Sequence, residues 1–379
     1  MKNNRTFLEK LLDGAEVEWK PLIKVASLTR GRVISKEYLA DNVGDYPVYS
    51  SQTVNNGEIG KINSFDFDGE FVSWTTDGAN AGTVFYRSGK FSITNVCGLI
   101  KIQNNLELNY KFLFYWLSIE AKNHVYSGMG NPKLMSHQME KILIPIPPLP
   151  VQIDIVKILD ALTALTSELT SELILRRKQY EYYREKLLSE EELGKVGFEW
   201  RALKDILIRT KGTKITAAEM KVLHKENAPL KIFAGGKTFA LVNYSDVPEK
   251  DINKNPSIIV KSRGIIEFEY YDKPFSHKNE MWSYYSNDKN INIKYIYYIL
   301  KNQEPYFQSL GSKMQMPQIA IPDTDKYLVP IPPPYIQTEI VKVLDKFVNL
   351  TNSISEGLPL AIEQSQKRYE YYRESLLSF

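Results

Sequence analysis

Cysteine is almost absent from this chain: Cys97 is the only one in 379 residues. That excludes a disulfide framework and fits a reducing compartment. The four histidines, His124, His137, His224 and His277, are scattered, so a structural zinc site has no ligand set. No apolar run approaches the roughly 18 residues that a membrane helix needs, and the opening MKNNRTFLEK has no signal-peptide core. A cytoplasmic location is the expectation. Neither sign of charge dominates, because the net value is +3, too small to point to nucleic acid by itself. Catalytic motifs are missing too. FAGGKT (233–238) lacks the GxxxxGK spacing of a phosphate loop, and no GxGxxG follows a strand. IPPPY (331–335) and GNPKL (130–134) lack the Asn/Asp-Pro-Pro-aromatic box of amino-methyltransferases. HExxH and GxSxG do not occur, and acid pairs such as Asp66/Asp68 lack a nuclease-like lysine pattern. What is present is a folded chain, 43% hydrophobic and 25% charged, of a length that suggests two or three domains.

The chain repeats itself. KQYEYYREKLLS (178–189) returns as KRYEYYRESLLS (367–378), with ten of twelve positions identical. ILIPIPPLPVQIDIVKILD (142–160) matches YLVPIPPPYIQTEIVKVLD (327–345), and VEWKPLIKVASLTRG (17–31) matches FEWRALKDILIRTKG (198–212). A period near 185 residues is far too long for a solenoid. It means two domains, each with a helical arm. Residues 32–127 and 213–310, between the matched frames, share no confident alignment.

In each arm the prolines of PIPPLP and PIPPPY predict a stiff extended entry to a helix. Beyond it Ile155, Leu162, Leu169 and Tyr183 fall on a seven-residue spacing, with Leu159, Leu173, Tyr180 and Leu187 four places on. That is a coiled-coil seam, parallel or antiparallel, interrupted at Thr166 and Arg176. The second arm runs Ile340, Phe347, Ile354, then resets to Ile362, Tyr369, Leu376. Gly357 and Pro359 predict a break or kink there. The segments between the frames are strand-rich, then helical, at NYKFLFYWLSIEAKN and IKYIYYILKNQEPYF, so each predicts a mixed α/β domain.

Charge sorts by segment. Residues 20–145 carry 13 Lys/Arg against 11 Asp/Glu, residues 200–330 carry 20 against 14, and the helical remainder carries 15 against 20. A positive excess confined to the inserts favours a polyanion. YSSQTVNNG (49–57) and SWTTDGANAG (73–82) gather small donors and acceptors beside Trp74, suited to base edges in a groove. They supply Ser51, Gln52, Asn55, Trp74, Thr75, Thr76 and Asn80 as candidate DNA contacts, with Lys133 further on. The second insert adds Lys237, Lys261, Arg263, Lys278, Lys313 and Gln315. Turn chemistry alone would also account for many of these residues.

The order of parts, with the PIPP entries and the tyrosine motif, strongly resembles the specificity subunit of type I restriction-modification systems. The resemblance covers essentially the whole chain. It implies an α+β architecture: frame residues 1–19, a target-recognition domain at 20–145, a helical region at 146–199, a second recognition domain at 200–330 and a helical region at 331–379. It further implies a pseudo-twofold internal repeat whose two long helices pair as an antiparallel coiled coil. Each recognition domain would read one half of a bipartite site in double-stranded DNA, and the helices would fix the spacer and dock two methyltransferase subunits. Gln152, Leu162, Leu169, Tyr180, Tyr183, Gln337, Phe347, Tyr369 and Tyr372 are the candidates for frame and docking. The chain itself would carry no cofactor; S-adenosylmethionine, ATP and Mg2+ would come with the methyltransferase and the motor-nuclease (restriction) subunits. An arm of roughly 36 residues spans about 54 Å, or about 16 base pairs. Competing readings are a coiled-coil scaffold that binds only proteins and an orphan DNA-binding protein without restriction partners.

Overall fold

The proline-rich entries are strands before they are helices. In the computed structural model, which describes residues 6–127, 130–311, 317–353 and 356–379, β1 (Glu18–Pro21) pairs antiparallel with β8 (Leu143–Ile146), Trp19 opposite Pro145. In the second copy, β9 (Glu199–Ala202) pairs antiparallel with β17 (Leu328–Ile331), Trp200 opposite Pro330. These are two-stranded ribbons, whose edges tolerate the proline that a central strand would not. The chain divides into two units, residues 1–169 with 362–379 and residues 170–361. Each holds one insert, called head 1 and head 2, and pieces of both arms.

Head 1 is one six-stranded sheet. Its strands are β2 (Ala26–Arg30), β3 (Val43–Tyr49), β4 (Glu58–Ile62), β5 (Phe67–Thr75), β6 (Val84–Ile93) and β7 (Cys97–Ile102), in the order β2-β7-β5-β6-β3-β4. Among the described residues, its one parallel strand pairing is β3 with β6. Head 2 contains β10 (Ile208–Thr210), β11 (Leu230–Phe233), β12 (Phe239–Val242), β13 (Ser257–Lys261), β14 (Glu267–Tyr271), β15 (Phe275–His277) and β16 (Trp282–Tyr285). They form two sheets, β10-β16-β13-β14 and β12-β11-β15. The pairings are those of head 1 in the same sense, including a parallel one, β11 with β15. The difference lies in one strand. Where β6 runs unbroken through ten residues, Asp272-Lys273-Pro274 separates β14 from β15, since proline cannot donate to the ladder. The two inserts therefore share a topology that their sequences do not show.

Each head packs an apolar helix, Tyr110–Glu120 or Ile293–Asn302, against its sheet, and each helix starts at an asparagine cap, Asn109 or Asn292. The first arm is one helix of 39 residues, Leu149–Leu187. The second is two helices, Pro334–Asn352 and Leu358–Leu376. The break falls where Gly357 sits at φ 84°, and a Cβ there would stand 2.7 Å from the Asn349 carbonyl oxygen. Ile354, expected on the seam, lies outside the described residues.

Within each unit the arm pieces run antiparallel. In the first, Thr166, the polar interruption of the seam, meets Ser365 at 2.8 Å between hydroxyls. Tyr369, Tyr372 and the buried Leu376 and Leu377 pack on the head 1 core. In the second, the Tyr183 ring stacks on Phe347 with centroids 5.6 Å apart, Tyr180 lies at 6.4 Å from the same ring, and Tyr180, Leu187 and Leu188 cover the head 2 core. The tyrosine motif occurs twice because each head is covered by the far end of the other copy's arm. Leu162 and Leu169 are half-buried.

Candidate nucleic-acid interface

Each arm is fastened to its head by the same polar clasp. Gln152 is fully buried; its Oε1 accepts from the Asn109 N–H at 2.9 Å, and its Nε2 donates to the carbonyls of Glu107 and Pro147, both at 2.8 Å. Gln337 repeats this with Asn292 N–H (2.8 Å), Asn290 O (3.0 Å) and Pro332 O (2.8 Å). Two turns further, Asp160 receives the Lys111 ammonium and the Tyr115 hydroxyl, and Asp345 receives Lys294 and Tyr298. Both tyrosine phenols are pushed up, first by burial and then by the adjacent carboxylate. Gln152 and Gln337 thus tie the start of each arm to the backbone of its own head.

On each head, loops from three places in the chain converge to make one floor. In head 1, Thr76-Asp77-Gly78, after β5, lies antiparallel to Pro132-Lys133-Leu134. Gly78 N–H donates to Pro132 O at 3.0 Å, Leu134 N–H to Thr76 O at 2.9 Å, and the Thr76 hydroxyl to Val96 O at 2.9 Å. In head 2, Ser262-Arg263-Gly264 lies antiparallel to Pro317-Gln318-Ile319 with the same three bonds: Gly264 to Pro317 O (2.8 Å), Ile319 to Ser262 O (3.0 Å) and the Ser262 hydroxyl to Glu280 O (2.8 Å). Asp77 faces Lys133 across a bridge, and Arg263 faces Gln318 across the corresponding one. The matched TRG and TKG run alongside. Gly31 and Gly212 allow a backbone approach so close that a Cβ would overlap the carbonyl oxygen of Ile93 or of Lys278. Glycine is required there by contact, not by dihedral angle.

On this common floor the exposed side chains differ. Head 1 displays Arg30, Asp77 and Lys133; Asp77 lies 3.8 Å from each of the two cations. Head 2 has Lys211 in place of Arg30, then Arg263 and Gln318. Lys278 and Glu280, 2.7 Å apart, replace Thr94 and Val96, while Asn95 and Asn279 keep one place in common. Burial works against the Glu280 charge, but Lys278 and then Arg263 hold its carboxyl below the ordinary value. Arg209, Lys211, Arg263, Asn279 and Gln318 border a cavity of about 590 Å³.

The expected contacts divide by burial. Trp74 is completely buried; its indole N–H donates to Leu134 O at 2.9 Å and its ring lies on Gly98. It props the floor and cannot reach a base. Thr75 and Thr76 are buried as well, their hydroxyls bonded to Asn80 O and Val96 O. Lys261 is 5% exposed, held by Glu267 and, at 2.8 Å, by Glu269, so its charge is spent inside the head. Ser51 and Asn80 lie together, the Asn80 amide donating to Ser51 O at 3.4 Å, while the Gln52 amide turns inward to Glu58 O at 2.6 Å. Asn55 is exposed in a left-handed pair with Asn56, at φ 49° and 54°. That loop is held from below by Arg87, buried over Tyr49 at 3.6 Å and donating to Asn56 O at 2.8 Å; burial lowers its pKa to about 10. Lys237 is exposed in the β11–β12 turn, remote in sequence from the floor. Lys313 and Gln315 lie outside the described residues. Arg30, Asp77, Lys211 and Gln318 escaped sequence reasoning. TRG and TKG were the signal for the two cations; the bridge partners become visible only once the backbones are compared. Among the described residues no group of His, Cys, Asp or Glu is placed to hold a metal ion, and no helix is long and apolar enough to cross a membrane.

Two α/β heads, each seated on a helical arm and carrying the same floor with different polar groups on it, define a two-headed recognition protein. Comparison agrees with that class. The model of the type I restriction modification DNA specificity domain matches twice, over residues 15–176 and 195–364, and the chain belongs to that family. Its relatives include a type I restriction enzyme specificity subunit of Haemophilus influenzae, 37% identical over the full length of both chains. Another, from Mycoplasma pneumoniae, is 34% identical over 94% of this chain and 96% of its own. Among solved structures, the S subunit of a type I system from M. genitalium covers 100% of this chain and 96% of its own length with a TM-score of 0.64 at 17% identity. A chain from a type I restriction-modification assembly gives 0.53 at 14% identity over 96% and 98%. The fold is shared, and the chain is a specificity subunit, non-catalytic by family.

Proposed function

We propose that head 1 and head 2 each read one half of a bipartite site in double-stranded DNA. The arms hold the half-sites apart and dock two adenine-specific methyltransferase subunits in the cytoplasm. Restriction subunits join that assembly; the partners bring S-adenosylmethionine, ATP and Mg2+, and none is bound by this chain. The observation that carries this reading is the duplicated floor: one backbone hydrogen-bond pattern in both heads, with different polar side chains outward. A device reading two unlike sequences with one geometry has that form, because the phosphate backbone repeats in every duplex and the base edges do not. A protein-only scaffold gives no reason for the duplicated basic position Arg30/Lys211. The test is methylation sequencing of cells that express the chain with its methyltransferase subunits. A single asymmetric bipartite site is expected; methylation without sequence preference, or at one contiguous site, overturns the proposal.

A further inference from the structure

Resting on that reading, we propose that the bridge pairs Asp77–Lys133 in head 1 and Arg263–Gln318 in head 2 are the base-reading residues, and that Arg30 and Lys211 beside them grip the phosphate backbone. The floor supplies the argument. Positions around each bridge are fixed in kind by packing: a glycine on one side, then a proline and a buried Leu134 or Ile319 on the other, then Asn95 or Asn279. Two backbone bonds and one hydroxyl-to-carbonyl bond are the same in both heads, while in head 1 the Thr76 hydroxyl also lies 2.7 Å from the Asp77 carboxylate. The two side chains facing each other across the bridge are not fixed. They are an acid and a base in head 1 and a base and an amide in head 2, and Lys133, Arg263 and Gln318 reach the surface.

These four groups are those that discriminate bases. An arginine or lysine matches guanine O6 and N7, a glutamine matches adenine N6 and N7, and a carboxylate accepts from cytosine N4. The neighbouring cation behaves differently. It is basic in both heads, so it carries no sequence information and suits a phosphate. The Arg30 guanidinium donates to Asn95 O at 2.8 Å and lies 3.8 Å from Asp77, so one residue both braces the floor and flanks the reader.

The assay is methylation sequencing with the full chain and its methyltransferase subunits, paired with duplex competition. Arg263→Ala and Gln318→Ala are expected each to relax one position of a single half-site, by tenfold or more in discrimination, leaving the other half-site and the spacer unchanged. The double exchange Asp77→Arg with Lys133→Gln should move the head 1 half-site toward the preference of head 2. Arg30→Ala should weaken all sites about equally and shallow the salt dependence. If Arg263→Ala keeps full discrimination at every position, or weakens target and random duplexes alike, the proposal is overturned. A wild-type chain that directs no bipartite methylation would overturn the underlying reading instead, a distinct result.

Discussion

Deleting Thr170–Leu173, the second TSEL of the first arm, isolates the arm as a spacer. The sequence TSELTSEL (166–173) lies inside one unbroken helix, Leu149–Leu187. Removing four residues takes about 6 Å out of the helix and turns its C-terminal remainder by about 40°, because a turn is 3.6 residues. Leu169 then stands where Leu173 stood, so the apolar seam stays nearly in phase. The Thr166–Ser365 contact lies before the cut. The second arm is already interrupted between Asn352 and Leu358, where a change of register alters a connection and not a helix. The expected result is a folded, assembling subunit with both half-sites retained and a spacer shorter by one or two base pairs, given about 3.4 Å per pair. Removing only two residues would rotate the seam by about 200°, turn Ser and Glu inward and abolish folding. Methylation sequencing of cells carrying the four-residue deletion reads the spacer directly. An unchanged spacer with full methylation refutes the arm as ruler, and an altered half-site refutes the separation of arm from reader.

Gln152→Ala strands one buried N–H and two carbonyls, and Gln337→Ala does the same; each should cost about 3–5 kcal/mol in urea unfolding, and a loss under about 1 kcal/mol would contradict the clasp. Gly31→Ala drives a methyl onto Ile93 O and should destabilise head 1 by about 3 kcal/mol while sparing recognition by head 2; Gly212→Ala should do the reverse, so site mapping that shows both halves lost from either variant would count against independent heads. His277 is buried, and burial lowers its pKa despite its bond to Lys278 O. The unfolded chain then binds a proton near pH 6.5 that the folded chain refuses, so stability falls as pH drops through that value, by at most about 1.4 kcal/mol per pH unit. Urea titrations at about pH 7.5 and 5.5, either side of that value, should show this for head 2 and lose it in His277→Leu.

The arms were legible in the sequence because helices declare themselves locally. The seam spacing, the proline entries, Gly357 and the polar interruption at Thr166 each depend on neighbours a turn away, and the resemblance to specificity subunits rested on their order. The heads were less so. Their common topology is held by backbone bonds between segments far apart in the chain, which leave no residue signature beyond a glycine or a proline. Trp74 and Lys261 passed for surface contacts because nothing local says that a tryptophan faces Gly98. Nor does anything local place Lys261 opposite Glu267 on the next strand. Asp77 was overlooked for the converse reason: its partner Lys133 stands in another loop.

The interruption between β14 and β15 gives head 2 a joint that head 1 lacks. In head 1 the unbroken β6 ties the outer pair β3-β4 to the inner strands, so opening the edge strains the whole sheet. In head 2 the outer sheet β12-β11-β15 holds a small apolar cluster around Leu230, Ile232 and Val242, as the outer pair of head 1 does around Val48 and Ile62. Across the joint, Phe233 and Phe275 pack with Ile259 without a continuous strand. Amide exchange should therefore resolve two cooperative foldons in head 2 and one in head 1. The Phe233 carbonyl of that outer sheet accepts the Lys278 N–H at 3.0 Å, so a lobe that opens there carries one edge of the floor with it.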